Sequence, residues 1–389
     1  MNNTTINSVV FVSNYFNHHQ KPFSDYLSQK LDHGYCFIET EPITEERKNM
    51  GWGREEKPSY VKNNYSTDHD RMECQTLIDQ AQIVIFGSAP YTLIQNRLKQ
   101  GKITFIYSER LYKQKPKFYR YPIHFLKFWK KYGRYRNVYC LCASAYAAAD
   151  YAKMLTFFNK TYQWGYFPAF HKYDDIDSLI ENKKKATILW VSRFIPLKHP
   201  EVPIEMAKRL KEEGYHFSME LIGTGPQQQE ILEQIKREKL SDFVCVYDSM
   251  TPEEVRNHME KSEIFLFTSD RNEGWGAVLN ESMNSGCTII ASHAIGSVPF
   301  LIEDTQNGLI YKDGDNDDLY EKVKWVLDHP IEQKRIGKNA YQTIQKEWNA
   351  QNAAEKFLKL AEKLMGSNTS FSLDEGVCSR AKILKDNWR

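Results

Sequence analysis

EIFLFTSDRNEGWGAVLNESMNSGCTIIAS, residues 263–292, holds two apolar runs around a turn and a polar segment. The first run, EIFLFTS (263–269), is β-branched and aromatic and ends in small polar residues, as a buried strand does. Gly274 and Gly276 follow and allow a tight turn with close backbone approach. AVLNESMNS then reads as a helix closed by Gly286. CTIIAS (287–292) is a second buried run. Strand, turn, helix and strand within thirty residues make one βαβ unit, the building block of a parallel sheet covered by helices.

The same alternation extends in both directions. TILWVS (187–192), SMELIG (218–223) and FVCVYD (243–248) are further strands, with helices at PEVPIEMAKRLKEEG (200–214) and PEEVRNHMEKS (252–262). In the first half SVVFVS (8–13), AQIVIFGS (81–88), ITFIYS (103–108) and VYCLCAS (138–144) alternate with helical segments at 21–31 and 144–156. The polar stretch HKYDDIDSLIENKKK (171–185) is the linker expected between them. The spacing therefore predicts an α/β chain of two doubly wound domains, 1–180 and 186–365, facing a central cleft. A tail, 366–389, is expected as a short linker and a helix, SRAKILKDNWR. Ligands of such sheets bind beyond the carboxyl ends of the strands.

At 389 residues, 41% hydrophobic and 26% charged, the chain is excluded from the disordered, fibrous and low-complexity classes. No eighteen-residue apolar run occurs, and the N-terminus has neither a basic segment nor a long apolar one, so a cytoplasmic location is expected. Seven scattered cysteines suit free thiols, and no zinc-ligand spacing is present. Net charge is +7 over residues 1–180 and −5 over the rest. KQKPKFYRYPIHFLKFWKKYGRYR (113–136) holds nine Lys/Arg, eight aromatics and no acid, with a short helix after Pro122. Three readings stay open for it: a solvated basic face, a surface for an anionic membrane leaflet, and a nucleic-acid surface that lacks any recognition motif.

Residues able to do chemistry fall just after the proposed strands. Glu273 and Glu281 flank Gly274, Trp275, Gly276 and Ala277. Glu281, about one turn into its helix, is suited to accept hydrogen bonds from a vicinal diol such as a ribose. Arg193 and Lys198 share one loop after TILWVS, a planar fork and a point charge able to hold a diphosphate. Gly223 and Gly225 form a Gly-x-Gly turn after SMELIG, weak evidence alone. Asp68/Asp70, Asp175/Asp177, Asp313/Asp315 and Asp315/Asp317 are Asp-x-Asp pairs of the kind that hold a divalent ion, but read here as solvated acids.

At these residues the chain resembles the retaining glycosyltransferases of family 4, which have the GT-B fold of two Rossmann-like domains. Glu273 and Glu281 match that family's Glu-x7-Glu. Ser192-Arg193-Phe194 with Lys198 resembles its Gly-Arg-Leu-x3-Lys, with Ser for Gly. Gly223 to Pro226 match Gly-x-Gly-Pro, and Asn307-Gly-Leu-Ile310 resembles Asn-Gly-Leu-Leu. SNYFNHHQKPFSDYL, FGSAP, YSERLYK and QWGYFP resemble a bacterial subgroup tied to capsular and other surface polysaccharides. The resemblance implies a C-terminal domain that binds a nucleoside-diphosphate sugar, by default a UDP-sugar, and an N-terminal domain that binds a saccharide or lipid-linked acceptor. It also implies a tail that packs back on the first domain. It implies Glu273, Arg193 and Lys198 as catalytic and Glu281, Gly223, Gly225 and residues 274–277 as donor-binding, with no metal or other cofactor and no nucleic acid. Peripheral association with the inner face of the cell membrane, through 113–136, goes with a lipid-linked acceptor. Where relatives carry a sugar-contacting His after the strand matching ITFIYS, this chain has Ser108-Glu109-Arg110, so Glu109 or Arg110 substitutes, or His18 or His19 reaches in. The usual Gly-Gly-x-Pro-Glu is Ile295-Gly-Ser-Val-Pro-Phe300, leaving Gly296 and Ser297 as backbone contacts. A nucleotide-sugar epimerase on the same scaffold and a non-catalytic donor-binding subunit are the alternatives.

Overall fold

The computed structural model describes residues 5–45, 56–112, 121–366 and 373–389; residues 113–120 of the basic stretch lie outside them. The chain divides into two units, Met1–Ala169 with Glu347–Trp388, and Phe170–Lys346 with Arg389.

The first unit is built on seven parallel strands: β1 (Val9–Ser13), β2 (Tyr35–Glu39), β3 (Val61–Asn63), β4 (Ile83–Phe86), β5 (Thr104–Ser108), β6 (Val138–Cys142) and β7 (Thr161–Gln163), in the order β3-β2-β1-β4-β5-β6-β7. Every residue of β1, β2, β4 and β6 is buried, because helices cover both faces and alternate side chains enter different cores. Val10, Val12, Val84 and Phe86 join the core that holds Ile78 and Tyr151. Phe11 and Phe105 belong to an aromatic cluster with Phe37, Phe23, Trp164 and Phe357: Phe11–Phe37 centroids are 5.0 Å apart and Phe105–Phe357 5.1 Å.

Phe357 lies on the helix Ala350–Leu364, so that helix groups with the first unit and not, as expected from the sequence, with the second. The expected linker 171–185 likewise groups with the second unit. Asp175 caps a helix there, Ile176–Glu181, accepting from Ser178 N at 3.0 Å, and Asp177 and Glu181 pair with Lys338 and Lys334 at 2.6 and 2.5 Å.

SRAKILKDNWR is not the helix its composition suggested. A turn at Cys378, with φ +65, leads the chain onto the outer edge of β7, where Arg380 bridges Tyr162 in antiparallel sense, with Cys378 N to Gln163 O at 2.9 Å, Gln163 N to Ser379 O at 2.8 Å and Ala381 N to Thr161 O at 3.1 Å. A three-residue edge strand has open amides and carbonyls, and pairing them outweighs the weak helix preference of a short polar segment.

The second unit has six parallel strands: β8 (Lys184–Val191), β9 (Ser218–Ile222), β10 (Val244–Tyr247), β11 (Ser262–Phe267), β12 (Thr288–Ser292) and β13 (Leu309–Tyr311), ordered β10-β9-β8-β11-β12-β13. β8 has β9 on one side and β11 on the other, with Leu189 opposite Phe265. Strand order reverses between β8 and β11, and the loops leaving their carboxyl ends start at the place where doubly wound sheets bind ligands. Asn307 shapes the turn into β13, its side chain accepting from Glu303 N at 2.8 Å and donating to Leu301 O at 2.9 Å.

Candidate functional site

Both charged loops leave the sheet at that reversal. The loop after β8 carries Arg193 and Lys198 and is held from below. Phe194 is fully buried, 5.1 Å from the Trp190 ring. Trp190 Nε1 donates to Thr268 Oγ1 at 2.9 Å, and Thr268 Oγ1 donates on to Lys198 O at 2.7 Å. Asp270 N donates to Leu197 O at 3.0 Å. The end of β11 thus fixes the backbone at Lys198 through one buried indole, one buried hydroxyl and one amide. Buried chains of this kind hold their geometry because each member left unpaired would cost its desolvation.

Gly223 and Gly225 fix the same loop from the other side. Gly223 has φ +142, and a Cβ there would stand 1.9 Å from Ser192 O; a Cβ on Gly225 would stand 2.4 Å from Phe194 O. The close approach lets Phe194 N donate to Thr224 O at 2.9 Å and Gln227 N to Phe194 O at 3.1 Å. These two glycines, expected as donor contacts, have a clear role as the seat of the Arg193 loop.

The loop after β11 is ordered by Asp270. Its carboxylate accepts from Asn272 N at 2.7 Å and Asn272 Nδ2 at 3.0 Å, and its carbonyl from Glu273 N at 3.0 Å. That turn aims Glu273 at the neighbouring loop, where Lys198 Nζ donates to Glu273 Oε2 and Ser269 Oγ donates to the same oxygen at 3.1 Å. Both partners are about seven-eighths buried, at 13% and 14% exposure, where an ion pair is screened less than on the surface. Lys198 also lies 5.7 Å from the centre of the Phe267 ring. Arg193 is half-buried at the head of its loop.

Gly276 takes φ +81, and a Cβ would meet Phe267 Cζ at 2.3 Å, so the turn into the helix Val278–Asn284 closes only with glycine. Gly274 and Ala277 are buried in this turn. Trp275, expected to face the donor, is fully buried instead. Its Nε1 donates to Asn280 Oδ1 at 2.9 Å and its carbonyl accepts from Ser297 Oγ at 2.6 Å. An indole between two glycines reads as a ligand platform, but here it is the core residue that anchors the turn, and Ser297 serves it. Glu281 sits in the fourth position of the helix, which ends at Gly286 with φ +67. Burial pushes the Glu281 carboxyl up to about 7, against the pull of Arg256.

His199 follows Lys198 with φ +51. Its Nδ1 is 2.8 Å from Glu201 Oε1 and its Nε2 is 3.6 Å from Asp270 Oδ2. The bond to Glu201 raises its pKa, with burial opposing. His199, Thr268 and Asp270 support the site and had no role assigned from the sequence. Their signal was present, since all three adjoin the motif residues, but hydrogen-bond partners come only with the fold.

The acids of the Asp-x-Asp pairs are occupied otherwise. Asp68 pairs with Arg71 at 2.9 Å, and Asp70 accepts from Thr67 Oγ1 at 2.7 Å. Asp175 and Asp315 cap helices, Asp317 pairs with Arg209 at 2.7 Å, and Asp313 accepts from Ser292 Oγ at 3.3 Å.

In the first unit, His18 and His19 form a turn after β1, their rings 3.9 Å apart. His19 stacks at 6.1 Å on Tyr166, whose hydroxyl donates to Glu109 Oε1 at 2.5 Å, and Tyr107 lies 5.9 Å from Tyr166. His19, Gln20, Tyr107 and Tyr166 line one cavity. Glu109 and His19 therefore adjoin a shared aromatic wall. Arg110 does not. It is 6% exposed, 4.7 Å from the centre of the Tyr146 ring, paired with Asp150 at 3.5 Å and with Asp386. A guanidinium so committed ties the tail to the first unit and is withdrawn from sugar contact, which corrects the expectation for Arg110.

Comparison with known proteins adds three findings. Residues 172–343 match the family model of glycosyl transferases group 1. Among curated proteins, the trehalose synthase of Pyrococcus horikoshii is 28% identical over 191 residues, 47% of this chain and 45% of that protein. The amylovoran biosynthesis glycosyltransferase AmsK of Erwinia amylovora is 30% identical over 133 residues, 33% and 32% of the two chains. The chain thus spans under half the length of the curated relatives it matches. Among solved structures, Anabaena Alr3699/HepE in complex with UDP superposes with a TM-score of 0.68 at 13% identity, over 92% of this chain and 100% of that one. TarM superposes with a TM-score of 0.65 at 11% identity, over 93% and 100%. These likenesses establish the fold, which is GT-B.

Proposed function

We propose, from the premise that residues 172–343 form a glycosyl transferases group 1 domain, that the protein transfers a hexosyl unit from a nucleoside-diphosphate sugar to a saccharide or lipid-linked acceptor in surface-polysaccharide synthesis, capsule included. The observation that carries this reading is the Lys198–Glu273 pair, held at the strand-order reversal on the loop that also carries Arg193. The names of relatives support it: amylovoran biosynthesis for AmsK, and UDP or UDP-glucose in the HepE structures.

In this reading the second unit holds the donor, UDP-linked by default. Lys198 and Arg193 neutralise the departing diphosphate, and the turn at Gly274–Ala277 lets backbone amides approach it. Diphosphate draws Lys198 from Glu273, and the freed carboxylate fixes hexose hydroxyls and favours positive charge at the anomeric carbon. Glu281 holds the ribose. The acceptor attacks on the face of the leaving group and its proton passes to the leaving phosphate, so configuration is retained. The cations replace a metal, so activity is expected to survive EDTA; complete loss would restore the Asp pairs as candidates. The first unit takes the acceptor, with Tyr166, Tyr107 and His19 as an apolar wall and Glu109 as hydroxyl acceptor. A lipid-linked acceptor places the protein at the inner face of the cell membrane.

The test is release of UDP from UDP-sugars with product analysis. A glycoside formed only when acceptor is present supports transfer. Altered free nucleotide sugar without acceptor marks an epimerase, and binding without turnover a regulatory partner. Glu281 adds a pH signature. With its carboxyl near 7, the ionised form that accepts ribose hydroxyls predominates above that value and is lost below it. Donor affinity is expected to weaken about tenfold from about pH 8 to about pH 6. Glu281→Gln should bind weakly at every pH and lose the step; a step that persists in this variant assigns the titration elsewhere.

A further inference from the structure

We propose that the first unit carries a membrane-docking face, formed by Ile123, Leu126 and Trp129 together with Leu155 and Phe158, which seats on an anionic lipid bilayer. Ile123, Leu126 and Trp129 are three apart along the helix Tyr121–Phe128 and the π turn Trp129–Gly133, and are 68%, 52% and 43% exposed. Residues three apart share a helix face. Phe128 and Tyr132 point the other way and are buried, so the apolar outer face is not a consequence of poor anchoring.

A second segment meets it. A Cβ on Gly133 would lie 3.1 Å from Trp129 Cδ1 and 3.3 Å from Thr156 Cγ2, which places the loop 155–159 beside Trp129. Leu155, Phe157 and Asn159 all have positive φ, at 48, 56 and 51°. Bulky residues adopt that conformation only when their surroundings enforce it. The outcome is that Phe157 packs inward, 4.9 Å from Tyr151 and 5.6 Å from Tyr132, while Leu155 and Phe158 stand 52% and 65% exposed. Two segments that meet at Gly133 thus each expose large apolar side chains, and clustered apolar exposure marks an interaction site.

Its surroundings select the partner. Lys127, Lys130, Lys131, Arg134, Arg136 and Lys160 come from the same segments, and among the described residues none of them pairs with a carboxylate. Burial and the neighbouring cations Lys127 and Arg136 push the pKa of Lys131 and Lys160 down, as expected where like charges crowd. Cations around an apolar centre fit a lipid interface, with acyl boundary inside and anionic headgroups outside. A nucleic acid would use the cations but offers nothing to exposed Leu and Ile, which are not stacking platforms. A second copy of the same face would bring like charges together.

Vesicle sedimentation tests the face apart from the donor chemistry. The protein is expected to partition at least about tenfold more strongly into phosphatidylcholine vesicles containing phosphatidylglycerol than into pure phosphatidylcholine. Leu126→Glu/Phe158→Glu should lose about tenfold or more, and Lys127→Glu/Lys130→Glu should abolish the preference for the anionic lipid. All four side chains are exposed, so unchanged melting temperatures are expected and verify folding. No partition into phosphatidylglycerol vesicles, or wild-type partition by Leu126→Glu/Phe158→Glu, overturns the proposal. Tighter binding to single-stranded DNA, unaffected by that double variant, does so in favour of nucleic acid. UDP stabilisation measured on the same samples separates the two claims, since a protein that binds UDP but not vesicles refutes the docking face alone.

Discussion

Lys198→Ala is expected to lower turnover by about 10²–10³-fold at saturating donor, the scale for loss of one positioned charge stabiliser. The ammonium is held where it can act: its backbone is fixed by Thr268 and Asp270, and its side chain lies against Glu273 and Phe267. In the free enzyme the pair neutralises itself. On the proposed function, a donor's diphosphate competes for the same ammonium, and its attraction grows as the sugar departs. The loss should therefore fall on kcat more than on KM. Lys198→Arg keeps the charge with a different shape and should recover part of the rate. Steady-state kinetics of the three proteins check this, and near-normal turnover by Lys198→Ala would remove the ammonium from the chemistry.

Gly223→Ala should destabilise the second unit by about 3 kcal/mol or more, a melting temperature lower by about 6–12 °C. The added methyl meets backbone, Ser192 O at 1.9 Å, with φ at +142, so no rotamer change relieves it. Either β9's exit or the Arg193 loop must move. Gly214→Ala is the control: its φ is also positive, at +81, but nothing lies within 4 Å of the added carbon, so only the conformational cost of about 1–2 kcal/mol remains. Calorimetric scans that show the same loss for both variants would mean that the close approach at Ser192 contributes nothing.

The central strands other than β2 were legible because helices cover both faces, so each strand must be a continuous apolar run; VVFVS and TIIAS are examples, while YCFIE of β2, which ends in a buried Glu39, was passed over. Of the edge strands β10 was read, as FVCVYD, but the three-residue ones were not. VKN and TYQ have three residues each, and they are strands only because β2 and β6 present open edges to them. The tail was misread for the same reason, since its extended form depends on β7 and its anchorage on Arg110 and Tyr146. In the candidate site, residue types and spacing singled out Glu273, Glu281, Arg193 and Lys198 as expectations, and the fold brings Lys198 and Glu273 together. The contact between Lys198 and Glu273, 75 residues apart, required β8 and β11 to be neighbours. Trp275 shows the limit of such spacing arguments: its position among glycines resembles a ligand contact, while its indole closes the core beneath the turn.

The central claim is that the second unit grips a nucleoside diphosphate through fixed cations. Its most direct measurement is thermal stabilisation of the whole chain by a panel of nucleoside diphosphates and their sugars in EDTA. UDP at about 100 times its dissociation constant should add about 2.7 kcal/mol. The shift should shrink in Lys198→Ala and in Glu281→Gln. A panel in which no nucleotide raises the melting temperature, or in which stabilisation appears only with a divalent ion, would contradict it.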